Sequence, residues 1–407
     1  MAFSYSALQT AMQEVGRPLF FEQANMEAPL VDLKMAKGQK DRAKVFAMKK
    51  EPRSVISVTV KKGGYNSTAF VADGGARTQA AQLDHSIGKM GFAIIQGNIF
   101  FPEGITKVAS GGEGIDLFKS AIESSGADFG RTLDRACIDH RLGGASGSAA
   151  AAAVSLAVLD ASGYRPGAKV DQYDSAGTTL EGSFAVTDVT VNADGSGTLT
   201  LAAPGLPGPV TTSSRFYLQG SGGAAAPGVG ARTAPTNLAD FTNIAVSCFP
   251  NLTATEQPAG TLDSTTTSLS NTKMRNMMTR VKTVSSKVVS HILVHPLNYE
   301  RIENNQNPQL RFKKGDTQDV YGESLAFGKA QVVEDTNQGV AVVDFIHANE
   351  NVAYMHEFWA AAPKKGWTKD ALRESDTYVG DNLYITGGYN LVPRQRNAFG
   401  RMNAITG

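Results

Sequence analysis

Residues 112–147 read GEGIDLFKSAIESSGADFGRTLDRACIDHRLGGASG. The stretch opens with Glu113 and Asp116, acids placed where the helix dipole favours negative charge. Apolar residues return at Ile115, Phe118, Ile122, Phe129, Leu133 and Ala136/Cys137, in steps that keep one helical face together. Arg131, Arg135 and Arg141 crowd the second half, and Gly143-Gly144-Ala145-Ser146-Gly147 stops the pattern. One long amphipathic helix is expected, ~40 Å long at 1.5 Å per residue. Gly126 sits inside it and predicts a slight bend near Ser124–Gly126.

Upstream, residues 54–60 alternate and are β-branched, which reads as a strand. A polar excursion through Lys61-Lys62-Gly63-Gly64 and Asp73-Gly74-Gly75 leads to a return strand, Lys89 to Ile95. A hairpin arm of about 40 residues far exceeds the usual turn of two to five. It has too few apolar residues for a core of its own. Such an arm lies on something else.

The chain has 407 residues, enough for two or three domains at roughly 150 each. Its 42% hydrophobic content supports sizeable cores, and its 42 glycines indicate many turns. Against 38 acidic residues stand 39 basic ones, a net charge of +1 that argues against a dedicated nucleic-acid binder and does not resist self-association. Cys137 and Cys248 each sit in apolar surroundings and read as buried thiols in a reducing compartment. No signal peptide opens the chain. The longest apolar run, Ala149 to Leu159, covers only about half of the ~20 residues that cross a bilayer.

In chain order, residues 1–53 read as an extended arm with a short helix from Ser6 to Val15, broken by Pro18 and Pro29. From Lys34 to Lys62 basic residues dominate, opposed only by Asp41 and Glu51. Phe46 is the one aromatic there, so a solvated charged segment fits better than a phosphate track. The all-alanine run Ala149–Ala153 predicts a short buried helix or tight packing. Short alternating strands follow at 168–173, 183–191, 197–201 and 215–218. Turn sequences separate them at Asp174–Gly177, Ala193–Gly197 and Pro204–Gly208, the texture of a small all-β barrel or sandwich over residues 163–230. Met274, Met277, Met278 and Val281 recur at helical spacing and read as core. Strands are expected at Lys287–Val294, Ala330–Glu334, Gly339–Ile346, Asn351–Met355, Leu383–Thr386 and Tyr389–Val392. A short helix belongs at Pro296–Ile302, and a basic tail with Arg394, Arg396 and Arg401 closes the chain. Mixed elements without a βαβ repeat indicate α+β.

The chemical motifs fail one by one. Asp128-Phe129-Gly130 spells a kinase magnesium triplet but lies inside the long helix, without a glycine-rich loop or His-Arg-Asp partner. Residues 143–148 are glycine-rich but lack a P-loop lysine. His291 and His295 diverge on a strand that meets Pro296, and His356-Glu357 lacks a second histidine. The sequence therefore predicts no catalytic, cofactor-binding or metal residue, and no enzyme.

Arm, long hairpin, long helix, mixed sheet and β insertion, in that order and without chemistry, resemble the major capsid protein of tailed bacteriophages, of the Hong Kong 97 fold. The resemblance implies an N-terminal arm at 1–53 and an extended loop at 54–101. It implies a peripheral domain with its spine helix at 102–148, and an axial domain at 149–347 that carries the inserted β domain at 163–230. Return strands of the peripheral domain fall at 348–392 and a C-terminal tail at 393–407. It rests on element order, with no invariant motif. The function implied is self-assembly, as pentamers and hexamers, into an icosahedral shell around double-stranded DNA held without sequence specificity. It further implies a portal and a decoration protein as partners, no membrane, and assembly in a bacterial host's cytoplasm to give a virion capsid. The arm begins almost at Met1, which favours a separate scaffolding protein over a fused leader. Lys61, Lys62 and Lys89 lie where some relatives form lysine–asparagine crosslinks, and here read as solubilising charges. An encapsulin-like compartment shares the fold, and an enzyme with a mobile β domain is the rival from another class.

Overall fold

The computed structural model describes residues 17–32, 45–47, 49–51, 55–61, 85–102, 112–139, 141–219, 236–244, 247–265, 268–306, 326–349, 351–356, 372–374 and 380–405. The quoted stretch forms a helix over Gly112–Ile138. Five helices are named here in chain order: α1 (Arg17–Met26), α2 (Gly112–Ile138), α3 (Leu238–Thr242), α4 (Asn271–Ser285) and α5 (Pro296–Gln306).

The expected apolar face of α2 is buried at Ile122, Phe129, Leu133, Ala136 and Cys137. What covers it is α1, which begins at Arg17 with Pro18 in its first turn. Proline lacks only an N–H that this turn leaves unbonded, so it opens the helix instead of breaking it. The expected helix at Ser6–Val15 lies outside the described residues. Gly126 has a packing role that its spacing alone does not reveal. A Cβ there would meet Phe20 O at 2.5 Å, and one on Gly130, a turn later, would meet Ala24 O at 2.2 Å. The two glycines let the backbones touch, and Phe20 tilts against Phe129 at 5.4 Å.

Strand Val55–Lys61 pairs antiparallel with His85–Gly91, burying Ile56, Val58 and Val60 on one face. The expected return strand divides at Phe92. Residues Ala93–Pro102 leave the hairpin and pair with Gly380–Pro393 in a second sheet, which Asn351–His356, Leu372–Glu374 and Lys49–Glu51 complete. The two short strands expected at 383–386 and 389–392 are thus one.

A six-stranded sheet forms the centre, in the order Thr261–Asp263, Phe399–Met402, Val343–Ile346, His291–Val294, Ala330–Glu334, Ala326–Phe327. Its inner strands are mostly apolar and buried because both faces are covered. Ile292, Val294, Val332, Val343, Phe345 and Met402 pack under α4 and α5 with Met274, Met277 and Val281. Leu293, Val333, Ile346 and Phe399 turn to the α2 side. The methionine stripe is therefore core. The basic tail is not a tail: Phe399–Met402 is an internal strand, and Arg396 and Arg401 are buried. The strand expected from Lys287 starts only at His291, because α4 ends on a left-handed Ser286 and the chain must first turn.

Residues 141–219 close a small antiparallel barrel. Strands Lys169–Tyr173, Leu180–Val191, Gly197–Leu201 and Arg215–Leu218 stand where alternation placed them. Ser155–Val158 adds a fifth strand. The rim from Arg141 to Ala149 bridges Tyr217, Val158 and Val210, joining the first strand to the last. The alanine run belongs to this closure. Ala149 exchanges backbone bonds of 3.0 and 2.8 Å with Val210, and Ala150–Ala152 form an exposed turn rather than a buried helix. The barrel fold thus starts well before residue 163. Its filling is Leu156, Val170, Phe184, Val186, Leu199 and Phe216, with Phe184 and Phe216 edge to face at 5.9 Å.

Candidate functional site

The long helix ends on two charged residues, Asp134 and Arg135, that a solvated helix end would expose and this one buries. Asp134 Oδ1 accepts from Leu30 N, just past α1, at 2.9 Å, and its Oδ2 accepts from Asn337 Nδ2 at 3.1 Å. Asp335 lies beside it, its Oδ1 accepting from Asn337 N at 2.8 Å. Its Oδ2 finds no donor among the described residues and faces the Asp134 carboxyl. Two acceptor-only groups in contact are stable only with a proton between them. Burial, then the neighbouring Asp335 charge, holds Asp134 well above the usual carboxylate range. Burial raises Asp335 as well.

Arg135 donates from Nη1 to Asn337 O at 2.5 Å and from Nη2 to Arg141 O at 2.6 Å. From the barrel, Arg165 Nη2 reaches Asn337 Oδ1 at 2.9 Å. Barrel residue Asp160 receives Val340 N at 3.2 Å, while Glu27 after α1 pairs with Arg131 at 2.6 Å. Asn337 is thus the hub at which α1, α2, the six-stranded sheet and the barrel meet. A hydrogen-bonded junction of this kind fixes angles between elements.

Two further arginines secure the sheet. Arg401 stands directly opposite Asp344 on the neighbouring strand and donates from Nε and Nη2 at 2.6 and 2.8 Å. Burial opposes the charge, but the fork to Asp344 together with the Asp139 and Asp240 carboxylates outweighs it, and the pKa of Arg401 is raised. Arg396 donates to the carbonyls of Phe241 (2.8 Å), Asp240 (2.6 Å) and Asn243, closing the end of α3.

The hairpin root is a separate small site. Phe249 sits under Gly88, where a Cβ would come within 2.6 Å of its ring. Asn251 grips the same strand from both sides, donating to Ile87 O at 2.8 Å and accepting from Lys89 N at 2.7 Å. Lys61 N reaches Arg394 O at 2.8 Å.

The residues weighed for chemistry stay apart. Asp128-Phe129-Gly130 lies within α2, Phe129 in the core and Gly130 against α1. His291 contacts Ser290 Oγ at 2.9 Å, and His295 Nδ1 accepts from Leu297 N at the start of α5; burial lowers both pKa values. Cys137 and Cys248 are buried free thiols, and burial raises Cys137 strongly. The side chain of His356 lies outside the described residues. Among the described residues, no three His, Cys, Asp or Glu gather as metal ligands, and no helix is long and apolar enough to cross a membrane. Pattern reading passed over Asp134, Asp335 and Asn337. Its available signals were two charges on a buried helical face and the turn-forming Asp335-Thr336-Asn337.

No family model and no curated protein matches the chain. In structure it is similar, at low identity, to several solved chains. The cyanophage A-1(L) capsid subunit is 11% identical over 88% of this chain and 90% of that one, with a TM-score of 0.49. The capsid of the native GTA particle is 8% identical over 93% and 96%, TM-score 0.45. The virus-like particle from Pyrococcus furiosus is 5% identical over 96% and 98%, TM-score 0.41.

Proposed function

We propose that this chain is a major capsid protein of the Hong Kong 97 kind, which assembles through pentamers and hexamers into an icosahedral shell around double-stranded DNA. The observation that carries the reading is the hairpin of Val55–Lys61 and His85–Gly91. Among the described residues it pairs with no third strand. One face is buried on Phe249. The other leaves Val55 and Ile87 in solvent, Ile87 61% exposed, with Ile94 at 73% just past the crossover. A two-stranded ribbon is marginally stable alone, and the apolar side chains on its outer face gain burial against another chain.

In this reading residues 1–53 are the arm, anchored on its own subunit through α1, and 54–101 the extended loop, anchored through Ala93–Pro102, with the hairpin's exposed face offered to a neighbour. The peripheral domain, expected at 102–148, is here 102–140 with 348–392. The axial domain is 149–347, its six-stranded sheet reinforced by the strand at 399–402. The barrel is the inserted domain, its boundary moved forward to Arg141. Many weak contacts per subunit make the closed shell stable by multivalency, and heterologous contacts close the five- and six-fold rings. Near-zero net charge removes repulsion between packed copies, and the genome meets the wall through phosphates without base readout. A scaffolding protein, a portal and a decoration protein complete the assembly in the bacterial cytoplasm. The subunit itself is no enzyme.

The test replaces residues 62–84, between the two hairpin strands, with an Asn-Gly turn that lets them pair directly. The expected product keeps its circular dichroism and unfolding midpoint but sediments as small oligomers. Closed shells at normal yield from this variant would overturn the assembly role of the hairpin.

A further inference from the structure

Between the middle of α2 and the barrel lies a cleft of about 730 Å³. Four cations line it: Arg131 and Arg135 from the helix, Arg165 and Lys169 from the barrel. Asp128, on the exposed side of α2, is the one carboxylate among the lining residues. Arg131 is balanced by Glu27. Arg165 and Arg135 donate their hydrogen bonds to an amide and two carbonyls, with the buried Asp335 carboxyl close to both. Arg135 is only 5% exposed, yet its Nε is buried without an acceptor among the described residues. The wall beside that atom is Gly163, where a Cβ would stand 3.2 Å from Nε. Burial, then the neighbouring Arg131 charge, lowers the pKa of Arg165, while the Glu27, Asp128 and Asp335 carboxylates act against that lowering.

We propose that this cleft binds a phosphate group carried on a small molecule. Guanidinium forks converging from two walls match a multiply charged oxyanion better than a single carboxylate. The space lies within the roughly 300–1,000 Å³ of small-ligand sites. The site is independent of the shell reading, since its lining comes from a single chain.

Isothermal titration of the full chain with pyrophosphate tests it, against sodium chloride at matched ionic strength. A mononucleotide and a short single-stranded oligonucleotide are titrated in parallel. Saturable binding of one pyrophosphate and one mononucleotide per chain is expected. Lys169→Glu, at an exposed position outside the polar junction, should weaken both about tenfold or more, a loss of about 1.4 kcal/mol, without moving the unfolding midpoint. Arg165→Gln, on the same barrel wall, should weaken both likewise, with some loss of unfolding midpoint because Arg165 also bonds Asn337. Heats reproduced by chloride, binding indifferent to both variants, or binding of the oligonucleotide alone would each overturn the proposal.

Discussion

Replacing Gly130 with alanine should destabilise the subunit, although a helix-interior Gly→Ala change ordinarily stabilises by about 0.5–1 kcal/mol. The added Cβ would stand 2.2 Å from Ala24 O and 2.7 and 2.8 Å from Ala24 Cα and C, all backbone atoms with no rotamer to change. Restoring ordinary contact parts α1 from α2 by about 1 Å. That separation loosens the Phe20–Phe129 contact and draws Leu30 N away from the buried Asp134 carboxylate. Overpacking of about 1–3 kcal/mol, plus about 1–3 kcal/mol for an orphaned buried polar group, exceeds the propensity gain, and a net loss of about 3 kcal/mol follows. Urea unfolding of the unassembled subunit, followed by circular dichroism, reads it directly. Ser124→Ala, exposed on the same helix, is the control and should stay within about 0.5 kcal/mol. Because the obstacle is backbone, adding Ala24→Gly should not rescue Gly130→Ala. A Gly130→Ala subunit as stable as the parent, or more so, would refute the close-contact argument.

Asp335→Asn supplies the Asp134 carboxylate with a permanent N–H donor in place of the shared proton. Both carboxyls are raised by burial, so the folded state binds a proton that the unfolded chain releases near the ordinary carboxylate value; stability from the pair is complete in acid and lost as pH rises through the raised range. The variant should therefore match the parent near pH 4 and exceed it increasingly toward pH 8, as denaturant midpoints across that interval would record. A constant difference between the two would contradict the shared proton. Arg401→Met leaves Asp344 buried without its fork and should cost about 3–5 kcal/mol, read as soluble yield and urea midpoint. A loss below about 1 kcal/mol would mean the pair is not desolvated as described.

The parts of the fold that depend on neighbours in sequence were legible. The face of α2, the methionine stripe of α4 and the four barrel strands follow from spacing and turn residues alone. The failures share a cause. Gly126 read only as a place for a bend because periodicity scores a missing side chain as a weakness; its contact with α1 depends on residues about a hundred positions earlier. Arg396 and Arg401 read as a solvated tail because charge was counted without partners, and Arg401 finds Asp344 at a separation of 57 residues. Five alanines read as a short buried helix or tight packing, and barrel closure holds them as a bridge and turn. The junction was invisible for the same reason: Asp134 and Asn337 are 203 residues apart. Polar burial is a property of the assembled tertiary structure, and no local pattern encodes it.

Electron microscopy with sedimentation, on the chain expressed alone and with its neighbouring genes, tests the central claim most directly. The account predicts uniform closed icosahedral shells in at least one of the two samples. Small oligomers that never close, in both, would contradict it.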